Sequence, residues 1–138
     1  MALDFNELFN DSYEYVQNNN REFFDLFYLN FTNSSPLIEK AFKNTNMENQ
    51  KAMLETAITH MVMFFTSKRA SKYLIDTASL HKERYQIDFI LYELFLDSLI
   101  NTLEKFDPNF NNQTAVAWRI TLAPGIEFMK HINIQTQD

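Results

Sequence analysis

Apolar residues recur every three to four positions along most of the chain, and short polar stretches interrupt the recurrence. This spacing places the apolar side chains on one face of an α-helix. The first such stretch extends from Phe5 to Val16, and a polar run from Gln17 to Asn20 ends it. Because the same pattern continues toward the end of the chain, it predicts an all-α fold.

Six further helices follow in this interpretation. The second begins near Arg21 and has an unusually aromatic face. The others are a short helix ending at Phe42, a long helix with apolar positions from Met47 to Phe65, and helices over 70–81, 87–103 and 116–129. Pro124 and Gly125 lie inside the last segment. Since proline lacks the backbone donor that a helix needs, we expect a kink or a division there.

The composition excludes several kinds of site. The chain of 138 residues contains no Cys and only one Gly. Disulfides, thiolate-bound metals and a thiol nucleophile are therefore absent, and one Gly cannot form a Gly-rich phosphate loop or a dinucleotide-binding motif. With 46% hydrophobic residues, a chain of this length is expected to form one domain, residues 1–138, with its own core.

The charge balance argues against two classes of partner. Eighteen Asp and Glu residues oppose twelve Lys and Arg residues, which gives a formal net charge of -6. This charge disfavours a nucleic-acid surface or binding to an acidic membrane. The N-terminus lacks the pattern of a signal peptide, and the longest apolar run, Met61 to Phe65, is too short to span a bilayer. We expect a cytoplasmic protein with no nucleic-acid or membrane partner.

Three histidines are the candidate nitrogen ligands for a metal. His60 lies within the long apolar helix and is interpreted as a structural residue, and His131 is expected to lie in solvent. His81 shares a predicted helix face with Leu74 and Ala78, so it points inward, and a charged turn follows it directly. It is the strongest candidate, although a purely structural role is equally compatible with this pattern.

The surrounding sequence limits what a metal site could be. No second histidine follows at the i+3 or i+4 spacing of zinc hydrolases. A metal bound through one histidine therefore implies an organic cofactor that supplies the other ligands. Nucleophilic catalysis is disfavoured because no nucleophile elbow is present. Asp25, Glu48 and Glu55 fall on polar helix faces, where solvated charge is the usual role.

Three stretches, taken in their order and spacing, resemble a globin. They are residues 27–42, which run from the aromatic helix through Pro36 to Phe42, residues 44–54, and residues 107–129, which include Trp118 and the Pro124-Gly125 pair. The likeness covers essentially the whole chain. It is greatest to the bacterial single-domain haemoglobins, whose globin part also occurs in flavohaemoglobins and globin sensors. The resemblance implies a single-domain globin fold around non-covalent haem b.

On the proximal side, the resemblance implies that His81 is the ligand of the haem iron. Ile87, six residues later, matches an apolar haem contact, and Tyr92 opens the next helix over the porphyrin. Some relatives add a glutamate in the last helix that polarises the histidine. This chain has residues 132–135, Ile-Asn-Ile-Gln, where that acid should lie, so we expect no strong polarisation of the iron-bound histidine.

On the distal side, the resemblance implies that Tyr28 and Gln50 face the gas ligand, with the apolar Leu54 one turn after Gln50. The register is open by one residue, because Asn49 followed by Met53 has the same spacing and chemistry. A phenol and an amide can each donate to a polar bound gas, so this pair would favour slow release of O₂.

Two phenylalanines complete the predicted pocket. Phe42 matches the phenylalanine that stacks on the haem plane, and Phe31 of the aromatic helix is expected to line the same pocket.

These residues imply a haem protein that reversibly binds O₂, with NO and CO as further ligands, in O₂ binding or NO detoxification. NO dioxygenase activity would need an external reductase, because the chain includes no flavin or nicotinamide domain. The alternative is a haem-based gas sensor or interaction module that acts through a separate partner. We expect a monomer or a homodimer.

Overall fold

The computed structural model describes residues 4–81 and 89–136, which form seven helices and no strand. In chain order the helices are α1 (Phe5–Asn18), α2 (Asn20–Asn33), α3 (Pro36–Ala41), α4 (Met47–Ser67), α5 (Lys72–Leu80), α6 (Phe89–Phe106) and α7 (Asn112–Thr136). The all-α prediction and the order of the helices are confirmed. The predicted haem contact Ile87 lies outside the described residues.

Polar side chains define where four of these helices begin. In each case an oxygen of the side chain before the helix accepts a hydrogen bond from a backbone N–H of the first turn, which satisfies a donor that has no partner inside the helix. These N-cap residues are Asp4 for α1, Ser35 for α3, Asn46 for α4 and Ser71 for α5. The polar breaks in the sequence therefore act as helix-start signals.

The long C-terminal helix organises the fold. α7 packs against α1, α4, α5 and α6, whereas α2 packs against α6 and α3. The largest fully buried side chains are Trp118, Phe23 and Phe27. The aromatic face predicted for α2 is buried, and two pairs of its rings, Phe23–Phe24 and Phe27–Tyr28, contact edge to face. α2 and α7 thus supply the core on which the other helices rest.

A buried polar network fixes α1 against the α6–α7 connection. The indole Nε1 of Trp118 donates to Ser12 Oγ across 2.9 Å, and Ser12 Oγ donates to Asp107 Oδ2 across 2.8 Å. Asp107 Oδ1 accepts from the backbone N–H of Asn109. Every group is paired, so the network adds specificity without leaving a buried donor unsatisfied.

The prediction for the end of the chain needs two corrections. α7 continues through Pro124 as one helix, so a division there is wrong. Gly125 allows α7 to pack closely against α4, because a Cβ at this position would lie only 2.6 Å from Cγ of Met61 on α4. The apolar residues Val116 and Ile120 lie inside the helix that the sequence predicts over 116–129, but they are 42% and 43% exposed and do not belong to its buried face.

Among the described residues, no helix has both the length and the apolar character needed to cross a bilayer.

Candidate functional site

A tyrosine and a glutamine from two different helices meet beside the aromatic core. Gln50 Nε2 on α4 donates to Tyr28 Oη on α2 across 3.1 Å. Tyr28 is only 4% exposed. Burial raises the pKa of its phenol well above the ordinary value, and the hydrogen bond from Gln50 only partly opposes this rise. Tyr28 therefore stays neutral and keeps its O–H as a donor.

The neighbouring residues of α4 differ in where they lie. Asn49 is exposed, and its backbone N–H donates to the capping side chain of Asn46. Leu54, one turn after Gln50, is buried. Of the two amides that the sequence left open, the structure brings Gln50 and not Asn49 onto Tyr28.

Aromatic rings form a wall next to the Tyr28–Gln50 pair. The ring of Phe42 lies 5.7 Å from that of Tyr28 and 5.9 Å from that of Phe31, measured between centroids. Phe31 in turn lies 5.9 Å from Phe95 on α6. Phe95 is not among the residues predicted from the sequence. Its helical spacing from Tyr92, three residues earlier, was the available signal.

A second polar pair lies at the end of α5. His81 caps this helix, and its Nδ1 lies 3.3 Å from the hydroxyl of Tyr92 on α6. Burial lowers the pKa of His81 and raises that of Tyr92 to about 12. Both groups are therefore neutral at pH 7. A neutral imidazole is the form that ligates a metal, and a partner on Nδ1 orients the ring with Nε2 as the ligating atom.

α6 connects the two polar pairs. It carries Tyr92 beside His81, and, one turn later, Phe95 beside Phe31 and Phe27. The aromatic contacts then continue from Phe31 through Phe42 to Tyr28. Helix α6 thus links the His81–Tyr92 pair to the aromatic rings that pack beside Tyr28.

The donor set suits a flat cofactor that brings its own metal ligands. Within residues 4–81 and 89–136, no three His, Asp or Glu side chains come together as a metal site. A single neutral histidine on Tyr92, with α6 leading from Tyr92 to the aromatic rings, would suit haem, because the porphyrin nitrogens would supply the remaining ligands that the chain lacks.

The other two histidines lie in different surroundings. His60 Nδ1 is 2.8 Å from Ser71 Oγ, and its ring stacks on Tyr73 with 4.6 Å between centroids. This placement fits the structural role that the sequence predicted. His131 is exposed, as expected, and its Nε2 lies 3.2 Å from a carboxylate oxygen of Glu127. The side chains of residues 132–135, where some relatives have a glutamate, are not among those that the structure describes.

Asp25, which the sequence predicts to be a solvated charge, has an ion-pair partner in the structure. Lys51 Nζ lies 2.6 Å from Asp25 Oδ1, so an ion pair joins α4 to α2 next to the Tyr28–Gln50 pair. Nothing in the helical pattern indicated this contact, because it depends on how two distant segments pack.

Comparison with known proteins gives one informative match. No protein-family model matches the chain, and no curated protein does. The chain is similar to a Pseudomonas aeruginosa PAO1 protein whose crystal structure is described as structurally highly homologous to a human hemoglobin. The two share 30% sequence identity and a TM-score of 0.83, and the match covers 92% of this chain and 96% of that one.

Proposed function

The chain belongs to the globin family, and from that premise we propose that it holds a haem through His81 and binds a diatomic gas beside Tyr28 and Gln50. The observation that carries the proposal is the contact between Gln50 Nε2 and Tyr28 Oη. It brings a phenol and an amide together at the edge of an otherwise aromatic cluster, where a small polar ligand would find both.

The proximal part of the proposal rests on His81. Burial lowers the pKa of its imidazole, so the ring is neutral and ready to ligate iron at pH 7. With Nε2 as the iron ligand, Nδ1–H donates to Tyr92 Oη, which lies 3.3 Å away and fixes the plane of the ring. Tyr92 is a neutral phenol and not a carboxylate, so it orients the histidine without strongly increasing its basicity.

The distal part of the proposal rests on the hydrogen-bond donors that Tyr28 and Gln50 have available. When bound, the haem would supply an iron at which O₂, NO or CO can bind reversibly. Gln50 has two amide N–H donors and uses one on the Tyr28 oxygen. The Tyr28 O–H lies 3.5 Å from the backbone carbonyl of Gln50, which is a long and weak contact. The Tyr28 O–H and the second amide N–H are therefore the groups offered to the gas.

These donors favour a polar ligand. In a dry pocket, each donor is worth on the order of 1–3 kcal/mol to a ligand that carries partial negative charge. O₂ develops more such charge than CO, so both donors favour O₂ and slow its release. Slow release suits O₂ retention or NO detoxification with an external reductase better than rapid O₂ delivery.

Absorption spectroscopy of the purified protein tests the proposal. Ferric, ferrous and CO-bound samples are expected to show the Soret bands of a histidine-ligated haem b. His81→Ala is expected to weaken haem binding and change the ferrous spectrum, whereas His60→Ala, which removes the histidine beside Ser71 and Tyr73, leaves both intact. A haem-supplemented protein without a Soret band would overturn the proposal.

A further inference from the structure

Three polar side-chain pairs connect α2 with α4, and together we call them the α2–α4 seam. They follow one another in ascending order on α2 and descending order on α4, and are Asn20–Glu55, Asp25–Lys51 and Tyr28–Gln50. The amide of Asn20 lies 3.1 and 3.2 Å from the two carboxylate oxygens of Glu55. The seam begins at the surface and ends at the pair proposed to face the gas ligand.

Asp25–Lys51 is the central link of this seam. Lys51 directly follows Gln50, and Asp25 lies three residues before Tyr28, so one turn of helix or less separates the ion pair from the Tyr28–Gln50 pair. The Lys51 side chain is 21% exposed and that of Asp25 is 52% exposed. The hydrogen bond to Asp25 raises the pKa of Lys51, so the ammonium group of Lys51 stays charged at neutral pH.

Side chains, and not close backbone packing, hold the two helices together here. The backbones of α2 and α4 approach each other at few positions, whereas α2 packs closely on α6 and α4 on α7. Between α2 and α4 lies a solvent-accessible groove of about 330 Å³, whose lining includes Phe24, Ala52 and the Asp25–Lys51 pair. An ion pair that spans such a groove determines the separation of the helices more than it would across a tight apolar interface.

We propose that Asp25 and Lys51 form a clasp that positions α4 against α2 and so holds the Gln50 amide on the Tyr28 hydroxyl. Opening the clasp moves the amide away from the phenol and gives small ligands a route through the groove. Because both charges reach solvent, salt weakens the clasp, and the distal side opens more often at high ionic strength. The effect on gas ligands rests on the proposed function, whereas the effect on the helices does not.

Hydrogen–deuterium exchange of peptides covering residues 47–58 tests the clasp without reference to the cofactor. Asp25→Ala removes only the link between helices, and Lys51→Met removes the same link from the other side. Breaking one exposed ion pair shifts an opening equilibrium by roughly two- to fivefold, so both variants are expected to exchange faster by that factor.

Salt dependence and two further variants separate the clasp from a general loss of charge. The exchange rate of wild type is expected to rise between about 0.01 M and 1 M NaCl, because the screening length falls from about 30 to 3 Å. The exchange rate of Asp25→Ala is expected to stay constant over the same range. Glu48→Gln removes the partner of Lys51 on its own helix and serves as the matched control, with exchange as in wild type. Asp25→Lys combined with Lys51→Glu restores an ion pair and is expected to restore slow exchange.

Two results would overturn the clasp. In the first, Asp25→Ala and Lys51→Met leave the exchange rate at residues 47–58 unchanged. In the second, the charge-reversed double variant exchanges as fast as the single variants. In haem-loaded protein, CO association measured by flash photolysis is expected to accelerate roughly two- to fivefold in Asp25→Ala. Faster exchange with unchanged CO association would refute the ligand route. A chain that takes up no haem would refute the proposed function and leave the exchange result standing.

Discussion

The side-chain amide of Gln50 donates to the hydroxyl of Tyr28 across 3.1 Å and thereby joins α4 to α2 at the edge of the aromatic core. The contact uses the oxygen of the phenol as an acceptor and leaves its O–H as a donor. Because burial keeps the phenol neutral, Tyr28 can donate to a ligand across the whole physiological pH range. Under the proposed function, this arrangement would make Tyr28 the main donor to the gas ligand and Gln50 its support.

Replacing Tyr28 with Phe removes that donor and keeps the ring that packs on Phe27 and Phe42. We expect O₂ to dissociate about tenfold faster or more, since a lost hydrogen bond of about 1.4 kcal/mol corresponds to a factor of ten. Stopped-flow measurement of the O₂ off-rate checks this. Tyr13→Phe is the control, because its hydroxyl contacts Thr59 instead. An off-rate of Tyr28→Phe within about twofold of wild type would contradict a role for Tyr28 in holding the ligand.

The register of the distal amide gives a second prediction. Gln50→Leu removes both the support for Tyr28 and the second amide donor, so we expect roughly three- to tenfold faster O₂ release. Asn49→Leu changes an exposed residue and is expected to leave the rate within about twofold. The same stopped-flow assay measures both variants. The opposite ranking of Asn49→Leu and Gln50→Leu would show that Asn49 is the distal amide.

The helices, and Tyr28 and Gln50 as candidate site residues, could be predicted from the sequence. Helical periodicity is local, and the spacing of Tyr28, Gln50 and Leu54 follows from a family pattern that is itself ordered along the chain. The contacts that escaped prediction are long-range. The Asp25–Lys51 ion pair and the network of Ser12 with Trp118 each join segments whose separation in sequence carries no periodic signal.

Titration of His81 gives a third prediction. Burial lowers the pKa of His81 below its ordinary value of 6.5, so between the folded and unfolded pKa values the unfolded chain binds more protons. The free energy of unfolding therefore rises with pH in that window and falls as the pH drops below about 6.5. In the haem-free chain, urea unfolding is expected to show that, as the pH falls from 8 to 5, the free energy of unfolding drops more steeply in wild type than in His81→Gln. The Gln side chain does not titrate. If the free energy of unfolding changes with pH in parallel in the two proteins, His81 is not the titrating group.

Gly125 gives the fourth prediction, which depends on whether Gly125→Ala raises or lowers the free energy of unfolding. In an ordinary helix, Gly→Ala stabilises by about 0.5–1 kcal/mol. Here the added Cβ would lie 2.6 Å from Cγ and 3.0 Å from Cβ of Met61, so α7 and α4 must separate or Met61 must change rotamer. We expect Gly125→Ala to lower the free energy of unfolding by about 1–3 kcal/mol.

Met61→Ala tests the cause, because it removes Cγ, which would lie 2.6 Å from the new methyl group, and keeps only the Cβ at 3.0 Å. Gly125→Ala in the Met61→Ala background is then expected to destabilise less than in the otherwise unaltered chain, and urea unfolding of the four proteins gives the coupling between the two positions. If Gly125→Ala stabilises the otherwise unaltered chain, the close approach of α7 to α4 at this residue is wrong.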